Sequence, residues 1–177
     1  MNSFHVRAAN PGDIPALMRL KHLLAEAEDS LHAVCATADD WRRDGFGQRA
    51  GFTAFVAEAS DSGIGNAAIG SVIGMATCSQ RIITGWNGPV IFLQDLFVEP
   101  CHRQHGVAQA LMARVAALAR DIGSPIVELT VRADNPAQNF YVRSGFMPLP
   151  QCLTFVLAGP ALNALAAQDR ASLALAG

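Results

Sequence analysis

The stretch from Val90 to Val131 constrains the fold more than any other part of the chain. An apolar run, Val90 to Val98, leads to the hexapeptide Arg103-Gln104-His105-Gly106-Val107-Ala108. A helical stretch then runs from about Ala108 to Arg120, and a second apolar run spans Ile126 to Val131. Strand, helix and strand in that order close through a right-handed crossover, so the two strands are predicted to pair in parallel. The same order puts the hexapeptide at a helix start. Glycine at its fourth position lets backbone approach a ligand closely, and the first N–H groups of the helix point outward with the positive end of the dipole behind them. A pyrophosphate fits such a turn. Alone, the pattern is weak, because average residue usage supplies it by chance in about one chain in five of this length.

The remaining segments supply the other layers. Phe4 to Arg7 reads as a first strand. Asn10-Pro11-Gly12-Asp13 turns the chain, with Asp13 placed to cap a helix along which Ile14, Leu17, Leu20 and Leu24 recur at helical spacing until about Glu28-Asp29. Thr37 to Arg43 predicts a short second helix stopping at Gly45. Phe52 to Glu58 and Ala68 to Ser79 read as strands joined by the glycine-bearing loop from Asp61 to Asn66. Val107, Leu111, Val115 and Leu118 share one face of the crossover helix. Asn135-Pro136 has the form of a helix start, Ala137 to Arg143 continues it and Gly145 stops it. Cys152 to Leu157 is a last strand candidate, and Ala161 to Leu175 is rich enough in alanine and leucine for a terminal helix. No repeat or linker divides the chain.

At 177 residues and 51% apolar composition, one sizeable core closes and a single domain, 1–177, is expected. A net charge of -2, with no basic run longer than Arg42-Arg43, argues against a nucleic-acid footprint and an anionic-membrane patch. No stretch approaches the ~18 apolar residues of a membrane span, and the start lacks the form of a signal peptide. The expectation is a soluble cytoplasmic protein acting on a small molecule. Cys35, Cys78, Cys101 and Cys152 form no Cys-x-x-Cys pair and read as free thiols in or near the core. Cys101-His102 and His105 lack a local fourth ligand, so no metal is expected.

After the phosphate-sized turn comes the series Asn135-x-Ala137-x-x-Phe140-Tyr141-x-x-x-Gly145-Phe146. The two segments together resemble the GNAT superfamily of acetyl-CoA-dependent N-acetyltransferases. Within it, Phe4 to Glu58, with Asp44-Gly45-Phe46-Gly47 and Phe55-Val56-Ala57-Glu58, and the segment Leu93-Gln94-Asp95-Leu96-Phe97-Val98 resemble the diamine (spermidine/spermine) acetyltransferase branch. The likeness runs from Phe4 to Leu157. It implies an α/β domain of α+β type, the GNAT fold, whose mixed and mostly antiparallel sheet is splayed at the fourth and fifth strands and flanked by helices. It implies acetyl-CoA as co-substrate, with its pantetheine arm on backbone groups of Leu96, Phe97 and Val98. Its pyrophosphate would lie on Arg103, Gln104, His105, Gly106, Val107 and Ala108, with Asn135 and Phe140 on the coenzyme side. It also implies a homodimer.

The resemblance places Tyr141, the chain's one tyrosine, near the coenzyme sulfur. A phenol of pKa about 10 can hydrogen-bond a leaving thiolate of pKa about 8.5 and pass it a proton. Packing at a helix surface is the alternative role. An alkyl ammonium has a pKa of about 10.4, so freeing the amine at pH 7 costs about 4.6 kcal/mol, and a carboxylate or water chain must help. Asp95 is the first choice as base or ammonium anchor. A water path to another carboxylate, with Glu26, Glu28 and Asp29 at the end of the first helix, competes with it. The chain departs from the diamine branch at Gln94, where that branch has a glutamate, and in the uncharged Met147-Pro148-Leu149-Pro150-Gln151. An amide orients an amine or a water but takes no proton. Glu28, Gln94 and Trp86 are the acceptor-side candidates, with Trp41 a weaker one and Glu99 assigned to the surface. The expected reaction is direct transfer of an acetyl group to a primary amine of a polyamine, an amino acid analogue or an amino-bearing antibiotic. A catalytically weak acyl-CoA-binding sensor and a peptide or protein acetyltransferase are the alternatives.

Overall fold

The computed structural model describes residues 3–60, 67–85, 88–152, 154 and 157–166. The chain divides into two compact units, Met1–Asn135 and Pro136–Gly177. Among the described residues the first unit holds five strands, β1 (Phe4–Ala8), β2 (Thr53–Ala59), β3 (Val72–Ile82), β4 (Pro89–Val98) and β5 (Val127–Leu129). It also holds three helices, α1 (Ile14–Ala27), α2 (Ala38–Phe46) and α3 (Val107–Asp121). The sheet runs in the order β1-β2-β3-β4-β5, antiparallel except for the parallel pairing of β4 with β5. The crossover expected from the sequence is therefore present. β5 is shorter than Ile126 to Val131 and pairs only with Ile91, Phe92 and Leu93, so β4 continues five residues past its last β5 partner. That departure is the expected splay.

Both faces of the sheet are covered. On one, Ile14, Leu17 and Leu20 of α1 and Trp41 of α2 pack with Ala54, Val56, Met75 and Phe97. On the other lies α3, with Val107, Leu111, Met112, Val115 and Ala119 buried and Arg114 stacked over the Phe55 ring at 4.9 Å. Leu118 is only half-buried, so the apolar stripe of α3 sits slightly rotated from the expected one. A methyl at Gly74 would come within 3.0 Å of the Phe97 carbonyl and 3.3 Å of Val107, so this glycine lets α3 settle close to the sheet.

Local chemistry moved several boundaries. Asn10, rather than Asp13, caps the entry to α1, its side chain accepting from the Gly12 N–H at the start of the 3-10 turn Pro11–Asp13. The Asp13 carboxylate instead accepts from both terminal nitrogens of Arg7, at 2.7 and 2.8 Å, and from the Asn10 N–H. Arg7 also donates to Glu58, so β1, β2 and the start of α1 are tied at one point. This arginine holds the Asp13 carboxyl below the usual range against the opposing effect of burial. In α2, Thr37 and Asp40 form a reciprocal capping box, and the helix runs past Gly45 to end before Gly47. β3 begins at Val72, four residues later than expected, and continues to Ile82.

The second unit contains α4 (Gln138–Arg143), which starts after Ala137 rather than at Asn135-Pro136, and residues 159–166 are helical. Of the expected last strand, residues 153, 155 and 156 lie outside the described residues, and Cys152, Thr154 and Leu157 carry no strand assignment. Residues 61–66, expected as a loop, and the part of the expected terminal helix beyond residue 166 also lie outside them. No described helix is long and apolar enough to cross a membrane. Only Cys78 is buried among the cysteines; Cys35, Cys101 and Cys152 are exposed, contrary to the expectation of core thiols.

Candidate active site

β4 breaks regular pairing at one residue. Thr77 on β3 faces Asp95, but the next residue, Cys78, faces Leu93, so Gln94 is an extra residue forming a β-bulge. Strand alternation skips a step there, and Phe92, Gln94 and Asp95 line the same cleft. The bulge coincides with the end of β5 pairing, so Leu96 to Val98 lie beyond the parallel neighbour that would otherwise run alongside them. One irregularity thus exposes Gln94, turns Asp95 toward a cavity and opens one side of the strand end.

The cleft has a volume of about 420 Å³. Trp41, Phe52 and Phe92 provide aromatic walls, with the Trp41 and Phe52 rings edge-to-face at 5.3 Å. Its polar groups are Thr77, Gln94, Asp95 and Lys21, with Asp40 and Asp44 from α2. Lys21 Nζ donates to Asp95 Oδ1 at 2.5 Å, and the Thr77 hydroxyl donates to Oδ2 at 2.7 Å. The Asp95 side chain is 11% exposed and that of Lys21 33%. Asp40 accepts from the Thr37 hydroxyl, the Thr37 N–H and Arg43, which hold its carboxyl below the usual range. Arg43 does the same for Asp44. A small molecule with an apolar stem and a cationic end suits these walls and carboxylates.

Beyond β4, the chain passes twice through the left-handed region, at Gln104 (φ 64°) and Gly106 (φ 80°), before α3 begins. Gly106 is the N-cap residue. A methyl there would meet nothing within 4 Å, so the backbone angle rather than crowding calls for glycine. A turn of alternating handedness at a helix N-terminus gathers backbone N–H groups into an anion-binding concavity. The turn is anchored from below. Arg103 Nε donates to the Val98 carbonyl at 3.0 Å, and His105 Nδ1 lies 2.7 Å from the Arg103 carbonyl. Glu99, expected at the surface, is instead held by Arg19 and lies 3.1 Å from Nδ1 of the buried His102. Glu99, Cys101 and His102 offer ligand atoms within 4.8 Å of one another, although the Arg19 guanidinium already occupies the carboxylate.

In the second unit, Tyr141 on α4 lies edge-to-face with Phe140 at 5.4 Å and with Phe146 at 5.7 Å. The Phe146 N–H donates to the Tyr141 carbonyl, closing α4 over this aromatic trio. Asn135, the last residue of the first unit, donates its backbone N–H to the Arg132 carbonyl.

The acceptor-side expectations divide. Gln94 and Asp95 share the cleft, and Trp41 joins them as a wall. Glu28 caps the end of α1 and is not among the lining residues. Trp86 lies outside the described residues. Lys21, Thr77, Asp40 and Asp44 were missed. Lys21 carried a signal in the sequence: it is the only lysine in the chain, four residues after Leu17 and three before Leu24, on the margin of the apolar stripe.

The model of the acetyltransferase (GNAT) family matches residues 18–146. The chain is 30% identical to the human spermidine/spermine N(1)-acetyltransferase-like protein 1, over 84% of this chain and 21% of that one. It spans about a fifth of that relative, but 99% of the mouse thialysine N-epsilon-acetyltransferase, to which it is 30% identical over 94% of its own length. An aminoglycoside N-acetyltransferase solved in complex with CoA superposes with a TM-score of 0.64 at 22% identity, covering 86% of this chain and 93% of that one. That likeness speaks to the fold. The matched region includes the bulged strand, the left-handed turn and α4, and its length establishes that the chain belongs to the acetyltransferase (GNAT) family.

Proposed function

We propose that the protein transfers the acetyl group of acetyl-CoA directly to a primary amine of a small molecule. The observation that carries this reading is the β4 bulge at Gln94, which turns Asp95 into the cleft and leaves the next strand segment beyond its β5 neighbour, just before a left-handed turn at a helix start. In this reading the pantetheine arm pairs with backbone groups of Leu96, Phe97 and Val98. The pyrophosphate sits on Arg103 to Ala108, and Asn135 and Phe140 serve the coenzyme side. The acceptor's apolar stem lies along Trp41, Phe52 and Phe92. Asp95 receives its ammonium and either takes the proton or passes it along a water that Gln94 orients. The neutral nitrogen attacks the thioester carbonyl, the C–S bond breaks, and Tyr141 gives its phenolic proton to the departing thiolate. No covalent enzyme intermediate forms. The setting we propose is a homodimer in the cytoplasm.

Two relatives are named for spermidine/spermine and thialysine acetylation, and the neighbour that shares the fold is named for aminoglycoside acetylation. All three chemistries present a primary amine on a compact or flexible stem, which is the acceptor class we assign. A second reading, an acyl-CoA-binding sensor, draws on the amide of Gln94 at the bulge. Steady-state release of CoA with a panel of diamines, amino acids with side-chain amines and aminoglycosides separates the two. Turnover with any member supports the enzyme; acetyl-CoA binding without turnover supports the sensor; absence of binding contradicts both.

A further inference from the structure

The one lysine of the chain is in the acceptor cleft, bonded to the residue assigned to receive the acceptor. Lys21 Nζ lies 2.5 Å from Asp95 Oδ1, and the second carboxylate oxygen is taken by the Thr77 hydroxyl at 2.7 Å. An alkyl ammonium on a flexible four-carbon stem is chemically the same group as the end of a primary-amine acceptor. Resting on the amine-acetylation reading, we infer that Lys21 is an internal competitor for the acceptor site. Its ammonium holds Asp95 until the acceptor's ammonium displaces it.

Three features support an exchange. The Asp95 side chain is 11% exposed, so the carboxylate is poorly hydrated and a second cation beside Lys21 would meet like charge in a partly closed cleft. Lys21 is 33% exposed on α1, so its stem can swing the ammonium into water without unpacking Leu17 or Leu20, which are fully buried. Among the described residues Asp95 is also its one hydrogen-bond and ion-pair partner, so leaving it breaks nothing else. Because the competitor is tethered, its effective concentration at Asp95 is high, and an incoming amine gains only the difference between two similar ion pairs. Lys21 therefore acts as a specificity residue. It raises the concentration at which a simple monoamine occupies the cleft, and acceptors with further contacts to the cleft walls displace it at lower concentration.

The test uses n-butylamine as the probe and the full chain. Labelling the lysine side-chain nitrogen with a heavy isotope gives a single Lys21 resonance, since no other lysine is present. Saturating n-butylamine should move that resonance to the position of a free, water-exposed lysine. In Lys21→Met, which keeps the apolar stem, the dissociation constant for n-butylamine should fall about two- to fivefold while acetyl-CoA affinity is unchanged. Acetyl-CoA binding also reports that the variant is folded, and Lys21→Gln provides a second folded form should Met perturb α1. A Lys21 resonance unmoved by bound n-butylamine overturns the inference, as does unchanged or weaker amine binding in both variants. If the wild-type protein binds n-butylamine and releases Lys21 but turns over no acceptor, the exchange stands and the acetylation reading fails.

Discussion

Replacing Asp13 by Asn tests how the first unit holds α1, and with it Lys21, against the sheet. The substitution keeps the size of the side chain but removes its charge and turns one acceptor oxygen into a donor facing Arg7. The wild-type carboxylate accepts two bonds from Arg7, at 2.7 and 2.8 Å, and one from the Asn10 N–H at 2.8 Å, with its side chain 9% exposed. Hydrogen bonds to charged groups contribute about 1.5–3 kcal/mol each when buried. Arg7 is 31% exposed and keeps its bond to Glu58, so about 2 kcal/mol for the whole substitution is the expected loss. For a chain of this size that lowers Tm by about 4–8 °C. Calorimetry of both proteins at pH 7 measures it. Arg7 depresses the folded-state pKa of Asp13, so its stabilisation is present above the unfolded value of about 3.9 and is lost as pH falls through the lower folded value. The gap in Tm between wild type and variant should therefore close toward acidic pH. A loss under about 1 °C at pH 7, or a gap that widens on acidification, would refute the argument.

Tyr141→Phe should lower kcat about a hundredfold, the low end of general-acid contributions, while acetyl-CoA affinity stays within about twofold; equal turnover in steady-state CoA release removes Tyr141 from proton transfer. Cys78 is buried and its thiol is pushed up to about 11 by desolvation, so at pH 8 a disulfide-exchange reagent should label Cys35, Cys101 and Cys152 quickly and Cys78 only on unfolding. Fast labelling of Cys78 in the native protein would contradict its burial.

What the sequence made legible was whatever local pattern controls. The β4–α3–β5 crossover follows from two apolar runs flanking an amphipathic helix, and Gly106 announced the turn because few other residues adopt its backbone angle. The bulge at Gln94 was not legible, because register is decided by which β3 residue each β4 residue faces, and Thr77 and Cys78 are distant in sequence. Asp13 misled as a cap because Arg7, six residues earlier, competes for its carboxylate more strongly than the N–H groups of the next turn. Nothing in the helical pattern singled out Lys21 on the edge of its apolar stripe; only the packing of α1 on β3 and β4 brings it to Asp95. Glu99 was placed at the surface beside Pro100, whereas Arg19 and His102, from different segments, draw it inward.

In the function proposed above, the bulged strand end and the left-handed turn together form the acetyl-CoA site. A crystal structure of the protein with CoA tests it directly. The pyrophosphate should lie against backbone N–H groups between Arg103 and Ala108, with the pantetheine arm paired to Leu96, Phe97 and Val98. CoA bound elsewhere, with neither contact formed, would contradict it.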